Sequence, residues 1–299
     1  MAVYKQSYRG YDGPLTPTWS RFLILPRYAF EEMRRSRFFT IFYLVSMAAP
    51  LIFGLTIYVE HNLTVLKMLQ PGRNSLIAID AHYFLNLLGW QSMMAFFLAA
   101  FVGPGQISPD LANNALPLYL ARPFSRAEYV AGKMSVLLIL MSIMTWIPGL
   151  LLFGLQGYLE GGGWTGKNLQ IASAIFLGAW IWILLISLLA LALSAWVKWK
   201  PMAGALLFGV FFVAAGFGGA INGILRTHWG QLLNISHLIG RVWVSMFDQP
   251  MQRGSGAVFF RVGRYEEIPI WCCWAALLAI CGLCLYMLER KIRGAEVVR

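Results

Sequence analysis

Charge is spaced along this chain in a way that leaves few possible folds. Cutting the sequence at every Asp, Glu, Lys and Arg leaves six uncharged, predominantly apolar runs: 38–59, 81–109, 134–159, 168–197, 201–225 and 268–288. Each exceeds the roughly 18 residues that a helix needs to cross the hydrocarbon of a bilayer. A soluble fold would have to bury all six, yet only 12% of residues are charged, against about 25% in an ordinary soluble domain. The reading is an all-α polytopic membrane protein with six transmembrane helices. Gly103, Pro104, Gly105 and Pro109 are expected to end the second helix near residue 103, which sets the spans at about 38–59, 81–103, 134–159, 168–197, 201–225 and 268–288.

Lys and Arg orient these spans. With six spans both termini share a side. Segments on that side (1–37, 104–133, 198–200 and 289–299) hold 16 Lys and Arg, against 8 in segments 60–80, 160–167 and 226–267. By the positive-inside rule both termini are cytoplasmic. Residues 1–37 show no apolar stretch followed by a small-residue cleavage site, so the first span is expected to be retained. The net charge of +11 gathers at helix ends, where anionic lipid explains it better than nucleic acid does. All four cysteines (Cys272, Cys273, Cys281 and Cys284) fall in the sixth run, which implies apolar packing rather than a disulfide framework.

Two segments outside the spans look structured. Trp19, Phe22, Leu23, Pro26, Phe30 and Met33 recur at helical spacing, with Glu31 and Arg35 at i,i+4 on another face. This predicts a helix lying in the cytoplasmic interface, entered late or kinked at Pro26. The loop 226–267 is too apolar for a solvated linker and is expected to dip back into the membrane, with irregular backbone shielded by protein. Residues 290–299 form a cytoplasmic tail.

Chemistry is sparse. No span holds an ionisable carboxylate, lysine or arginine, as ion-coupled carriers usually require. Gly161, Gly166 and Lys167 fall at phosphate-loop spacing, but Asn168 stands where a hydroxyl should hold magnesium, and the stretch lies between two spans on the external side. It is read as a turn. A membrane-embedded lipid-modifying enzyme using His82, or His228, His237 and Asp248, is the competing reading, and a nonenzymatic scaffold a third.

The informative stretch is the cytoplasmic segment 104–133. Asp110, after Pro109, is placed to start a short helix, and Arg122-Pro123 turns the chain. Ser125 and Glu128 form a capping box that starts a second helix running into the third span. The result is an elbow with Arg122 and Arg126 at its tip.

In these residues the chain resembles the membrane subunits of type-2 ABC exporters, whose second and third spans are joined by an acidic residue and then L-x-L-x-R-P-x-S-R-x-x-Y-x-x-G-K. Here the pattern is carried by Asp110, Leu118, Leu120, Arg122, Pro123, Ser125, Arg126, Tyr129, Gly132 and Lys133. Ala121 stands where the family often has Ser, and Asn113-Asn114 where it commonly has Gly. The resemblance implies an elbow that docks on a separate ABC ATPase subunit, present in two copies and holding ATP and magnesium, so that this chain needs no cofactor or metal of its own. It implies that the interfacial helix, with Trp19, Phe22, Phe30, Glu31 and Arg35, borders the same contact. It further implies a second permease subunit, identical or not, and a bacterial plasma membrane. Ala205 with Gly209, and Gly219 with Gly223, are small-residue pairs that could face that subunit or a neighbouring span.

Overall fold

The computed structural model describes residues 24–62, 78–115, 125–249 and 268–293. These are helical, with no strand among them. Helix α1 (Ile24–Arg35) leads through Ser36 into α2 (Arg37–Asn62). Then come α3 (Ala81–Val102), α4 (Pro104–Ala112), α5 (Arg126–Met144), α6 (Trp146–Glu160), the short α7 (Gly162–Lys167), α8 (Leu169–Trp196), α9 (Lys200–Leu225), a 3-10 turn (Trp229–Leu233), α10 (Ile235–Met246) and α11 (Ile270–Arg293). Six helical stretches are long and apolar enough to cross a membrane: 37–62, 81–112, 126–160, 169–196, 200–225 and 270–292. Each contains or closely matches one of the uncharged runs.

Two spans are composite. The second breaks at Gly103, as expected, but helix resumes at once as α4. Pro104 stands at the first helical position, where a missing N–H costs nothing and the fixed φ suits a helix. The third breaks at Thr145, which has φ −105° and ψ −87°. Pro148 has no N–H to give the Met144 carbonyl, so α6 starts afresh rather than continuing α5.

Helix α8 is the hub, buried over most of its length and packed against α3, α4, α5, α6, α9 and α11. By contrast α2, α9 and α11 are largely unburied within the chain. Gly209, Gly219 and Gly223 have open space where a Cβ would project, so the small-residue pairs of α9 face away from the chain's own helices.

The segment after α9 differs from the irregular dip expected of it. As far as residue 249 it forms the 3-10 turn and α10, and 250–267 lies outside the described residues. The turn packs on α9 so closely that Gly218 and Gly230 must both be glycine, since a Cβ on either would run into the other's carbonyl oxygen. Asn222 Oδ1 accepts the Gly230 N–H at 2.8 Å. Asn234 caps α10 by accepting the His237 N–H, and α10 is nearly all buried. Its Trp243 donates to the Gly178 carbonyl of α8 at 3.0 Å and meets Trp182 edge-on. Arg241 donates to the Ile268 carbonyl at 2.9 Å, pinning α10 to the entry of α11.

At the phosphate-loop near-match, Gly161 takes φ +98°, a conformation natural to glycine, and ends α6; α7 follows. Helix α6 precedes it, not a strand.

Candidate functional site

The elbow is formed where the end of the second span meets the start of the third. Among its sequence-assigned residues, Asp110, Ser125, Arg126, Glu128, Tyr129 and Lys133 are described. Leu118, Leu120, Arg122 and Pro123 lie outside the described residues, as do Trp19 and Phe22 of the interfacial helix.

Helix α5 begins as its sequence requires. Ser125 is extended (φ −74°, ψ 157°), its Oγ accepts the Glu128 N–H at 3.2 Å, and its own N–H donates to Glu128 Oε2 at 2.6 Å. Both halves of the capping box are formed, fixing the direction in which the chain enters the helix.

Asp110 does something other than start a helix. It lies in the last turn of α4, which ends two residues later. The Asn114 N–H reaches the Leu111 carbonyl and the Ala115 N–H the Asp110 carbonyl (3.5 and 2.8 Å), the paired bonds of a Schellman motif. That motif needs a left-handed residue, and Asn114 supplies it at φ +50°. Asn tolerates this conformation better than most side chains.

Freed from capping, the Asp110 carboxylate turns toward α5. Its Oδ2 accepts the Tyr129 hydroxyl at 2.6 Å and pairs with Lys133 Nζ at 2.8 Å. Tyr129 and Lys133 are one helical turn apart, so a single carboxylate clasps the first two turns of α5. Tyr129 is fully buried, and the side chains of the Lys133–Asp110 pair are only 13% and 15% exposed, which shields the pair from much of the solvent screening that weakens surface ion pairs. Lys133 also sits 5.7 Å from the Tyr129 ring centroid. The two helices of the elbow are thus locked together from within.

A second brace, invisible in the sequence reading, holds α4 to the hub. Gly103 offers α4 no side-chain cap. Instead Ser194 of α8 projects its Oγ into the first turn, accepting the Ile107 and Ser108 N–H groups at 3.1 and 2.9 Å and donating to the Pro104 carbonyl at 3.0 Å. Ser108 returns a bond from its Oγ to the Ser194 carbonyl at 2.9 Å. Both serines are fully buried. The hydroxyl is inserted between the Pro104 carbonyl and the N–H groups of Ile107 and Ser108, so that another helix bridges the start of α4.

Helix α1 lies beside the elbow helix α5. It packs on α5 and α2, with Ala29 and Phe30 against the core and Glu31 paired to Arg35 at 3.1 Å on the exposed side. Pro26 falls in the first described turn of α1.

Among the described residues no group of three His, Cys, Asp or Glu could hold a metal. His237 is buried in α10, its N–H serving the Asn234 cap. Burial, reinforced by the Arg241 charge, lowers its pKa to about 4, so the imidazole is neutral near pH 7.

A family model described as ABC-2 family transporter protein matches residues 28–241, from α1 through the elbow to the middle of α10. No curated protein matches the chain. The match takes in most of the sequence and agrees with six membrane-crossing helices and an elbow between the second and third. The chain belongs to the ABC-2 transporter family, as a membrane permease.

Proposed function

We propose that this chain is the permease half of an ATP-driven exporter, and that its elbow receives the motion of a separate ABC ATPase. One observation carries the coupling: Asp110 joins α4 to α5, so that force applied at the tip displaces two spans as one body rather than bending a loop. Ser194 passes that displacement to α8, which touches most of the other spans. Arg126, and Arg122 by the sequence pattern, are assigned to the acidic surface of the ATPase. The second permease subunit packs along the small-residue face of α9, which no helix among the described residues covers. Both termini and the elbow lie in the cytoplasm by the Lys/Arg balance, and outward transport follows from the resemblance to exporters.

The test is the double variant Arg122→Glu/Arg126→Glu, purified from its native cells through a tag on the full chain. Charge reversal at an interface sets like charges against each other. The expected result is normal membrane insertion with loss of ATPase copurification and of stimulated hydrolysis. Wild-type behaviour in both would remove the coupling role. An impermeant thiol reagent should label cysteines placed at Ala115 and Lys167, in a background lacking the native four, from opposite sides of the membrane.

A further inference from the structure

Between α1, α2 and α5 lies an open groove of about 780 Å³, lined in part by Phe30 and Glu31 of the helix that the resemblance sets beside the ATPase contact. Its walls change character along its length. Arg27 and Glu31 of α1 form the outer end; Phe39 and Tyr43 of α2 face Leu140 and Ile143 of α5 further in. Glu31 is already paired to Arg35, so its charge is offset, whereas Arg27 is exposed at the groove's rim. Arg37 opens α2, and Tyr43 lies six residues on, about 9 Å deeper at 1.5 Å per residue. Tyr43 donates its hydroxyl to the Leu140 carbonyl at 2.8 Å, so its polar end is spent and its ring is left as apolar wall. Ile143 lines the groove yet is 41% exposed, so the groove opens sideways to the surroundings of the spans, which in a membrane are acyl chains.

A cation at the level where the spans begin, an apolar slot running inward from it and a lateral mouth match one class of molecule. We propose that the groove is a site for a single anionic phospholipid drawn from the leaflet that faces the elbow. The phosphate sits against Arg27, and one acyl chain lies between Phe39, Tyr43, Leu140 and Ile143. The volume is in the range of sites that enclose a small ligand, and a basic side chain near the membrane surface favours anionic over zwitterionic headgroups. The lipid would mortar α1 to α5, the helix that begins at the capping box. The site needs only the membrane placement of the chain and does not depend on the direction of transport or on the elbow's docking.

The experiment is native mass spectrometry of the full chain, released from nanodiscs of phosphatidylglycerol or of phosphatidylcholine, with activation stepped until loosely held lipid is lost. One phosphatidylglycerol should survive per chain, and phosphatidylcholine should be shed earlier. Arg27→Gln should lower phosphatidylglycerol retention about fivefold, the worth of one basic side chain at a headgroup, and leave phosphatidylcholine unchanged. Ile143→Trp, which fills the mouth from an already exposed position, should evict both. A thermal melt of each variant in detergent reports whether it folds, and Arg27→Lys should rescue retention. Equal retention of the two lipids, several lipids lost together without a last tight copy, or retention untouched by both variants would overturn the site. Loss of retention on adding millimolar inorganic phosphate, with the acyl chains irrelevant, would assign the cation to free phosphate and also refute the lipid.

Discussion

Ser194→Ala is the substitution whose effect the structure specifies most closely. It removes a hydroxyl and creates almost no cavity, so the cost comes from hydrogen bonds alone. Four contacts are lost: acceptance from the Ile107 and Ser108 N–H groups, donation to the Pro104 carbonyl, and the contact with the Ser108 hydroxyl. Interhelical hydrogen bonds in membrane proteins average about 0.6 kcal/mol each, so the loss should come to about 2 kcal/mol. Ser108→Ala gives the internal comparison. It loses its own hydroxyl contacts to Ser194, while its backbone N–H keeps Ser194 Oγ, and it should cost about 0.6 kcal/mol, up to twice that. Ser194→Thr retains the hydroxyl and should restore much of the loss. The assay is equilibrium unfolding of the purified chain in mixed micelles, read by tryptophan fluorescence, alongside hydrogen exchange over Pro104–Ala112. The order Ser194→Ala, then Ser108→Ala, then wild type, with faster exchange confined to α4 and its surroundings, is expected. Equal effects of the two alanines, or faster exchange spread evenly over all the spans, would refute the brace.

Three further outcomes follow from named contacts. Asp110→Asn keeps an acceptor for the Tyr129 hydroxyl but leaves Lys133 without its carboxylate, and should cost about 1–3 kcal/mol; pairing it with Lys133→Met should recover part of that, a coupling measurable by a double-mutant cycle. His237 titrates near 4 folded and near 6.5 unfolded, so below about pH 6.5 the unfolded chain binds a proton that the folded chain refuses. Stability should therefore fall by up to about 3 kcal/mol between pH 6.5 and 4, and His237→Gln should flatten that part of the profile. A Cβ added at Gly219 has open space among the described residues, so Gly219→Leu should leave thermal stability of the monomer nearly unchanged, while reducing permease–permease association in a cross-linking assay.

The six spans were legible because the bilayer imposes one rule on every helix that crosses it: no charge for about 20 residues. The capping box was legible for the opposite reason, being wholly local: Ser125 and Glu128 satisfy each other within one turn. What escaped the sequence depends on helices meeting. Asp110 follows a proline, a pattern that reads as a helix start. Its actual partners, Tyr129 and Lys133, come within reach only once α4 and α5 lie side by side. Ser194 is one small polar residue in an apolar run, and nothing in its neighbourhood indicates that it faces the broken first turn of α4. The break at Thr145 had a signal in Pro148, passed over because the run is uncharged throughout. Helix α10 also had one: Asn234 as cap, then Ile235, Leu238, Ile239, Val242 and Met246 at helical spacing. The length and apolar content of the segment pointed to burial, but its helical period is what gives the backbone its own partners.

The two breaks acquire a purpose when set beside the clasp. Gly103 and Thr145 bound a unit, α4 with α5, that is rigid inside because Asp110 closes it and a capping box starts it. Hinges are typically element-terminal residues that absorb a change in φ and ψ. On the proposed coupling, this unit rotates about both ends while α3 and α6 keep their packing in the outer part of the bundle. Docking and transmission should then be separable. Pro148→Ala restores an N–H for the Met144 carbonyl and removes a helix-interior penalty of about 3 kcal/mol, which favours α5 and α6 fusing into one straight helix. The elbow surface is untouched, so the ATPase should copurify as with wild type, while substrate-stimulated hydrolysis falls. Arg126→Glu should show the reverse order, losing copurification first. If Pro148→Ala leaves stimulation intact, the Thr145 break is only a packing accommodation, and the motion must pass through Ser194 and α8 alone.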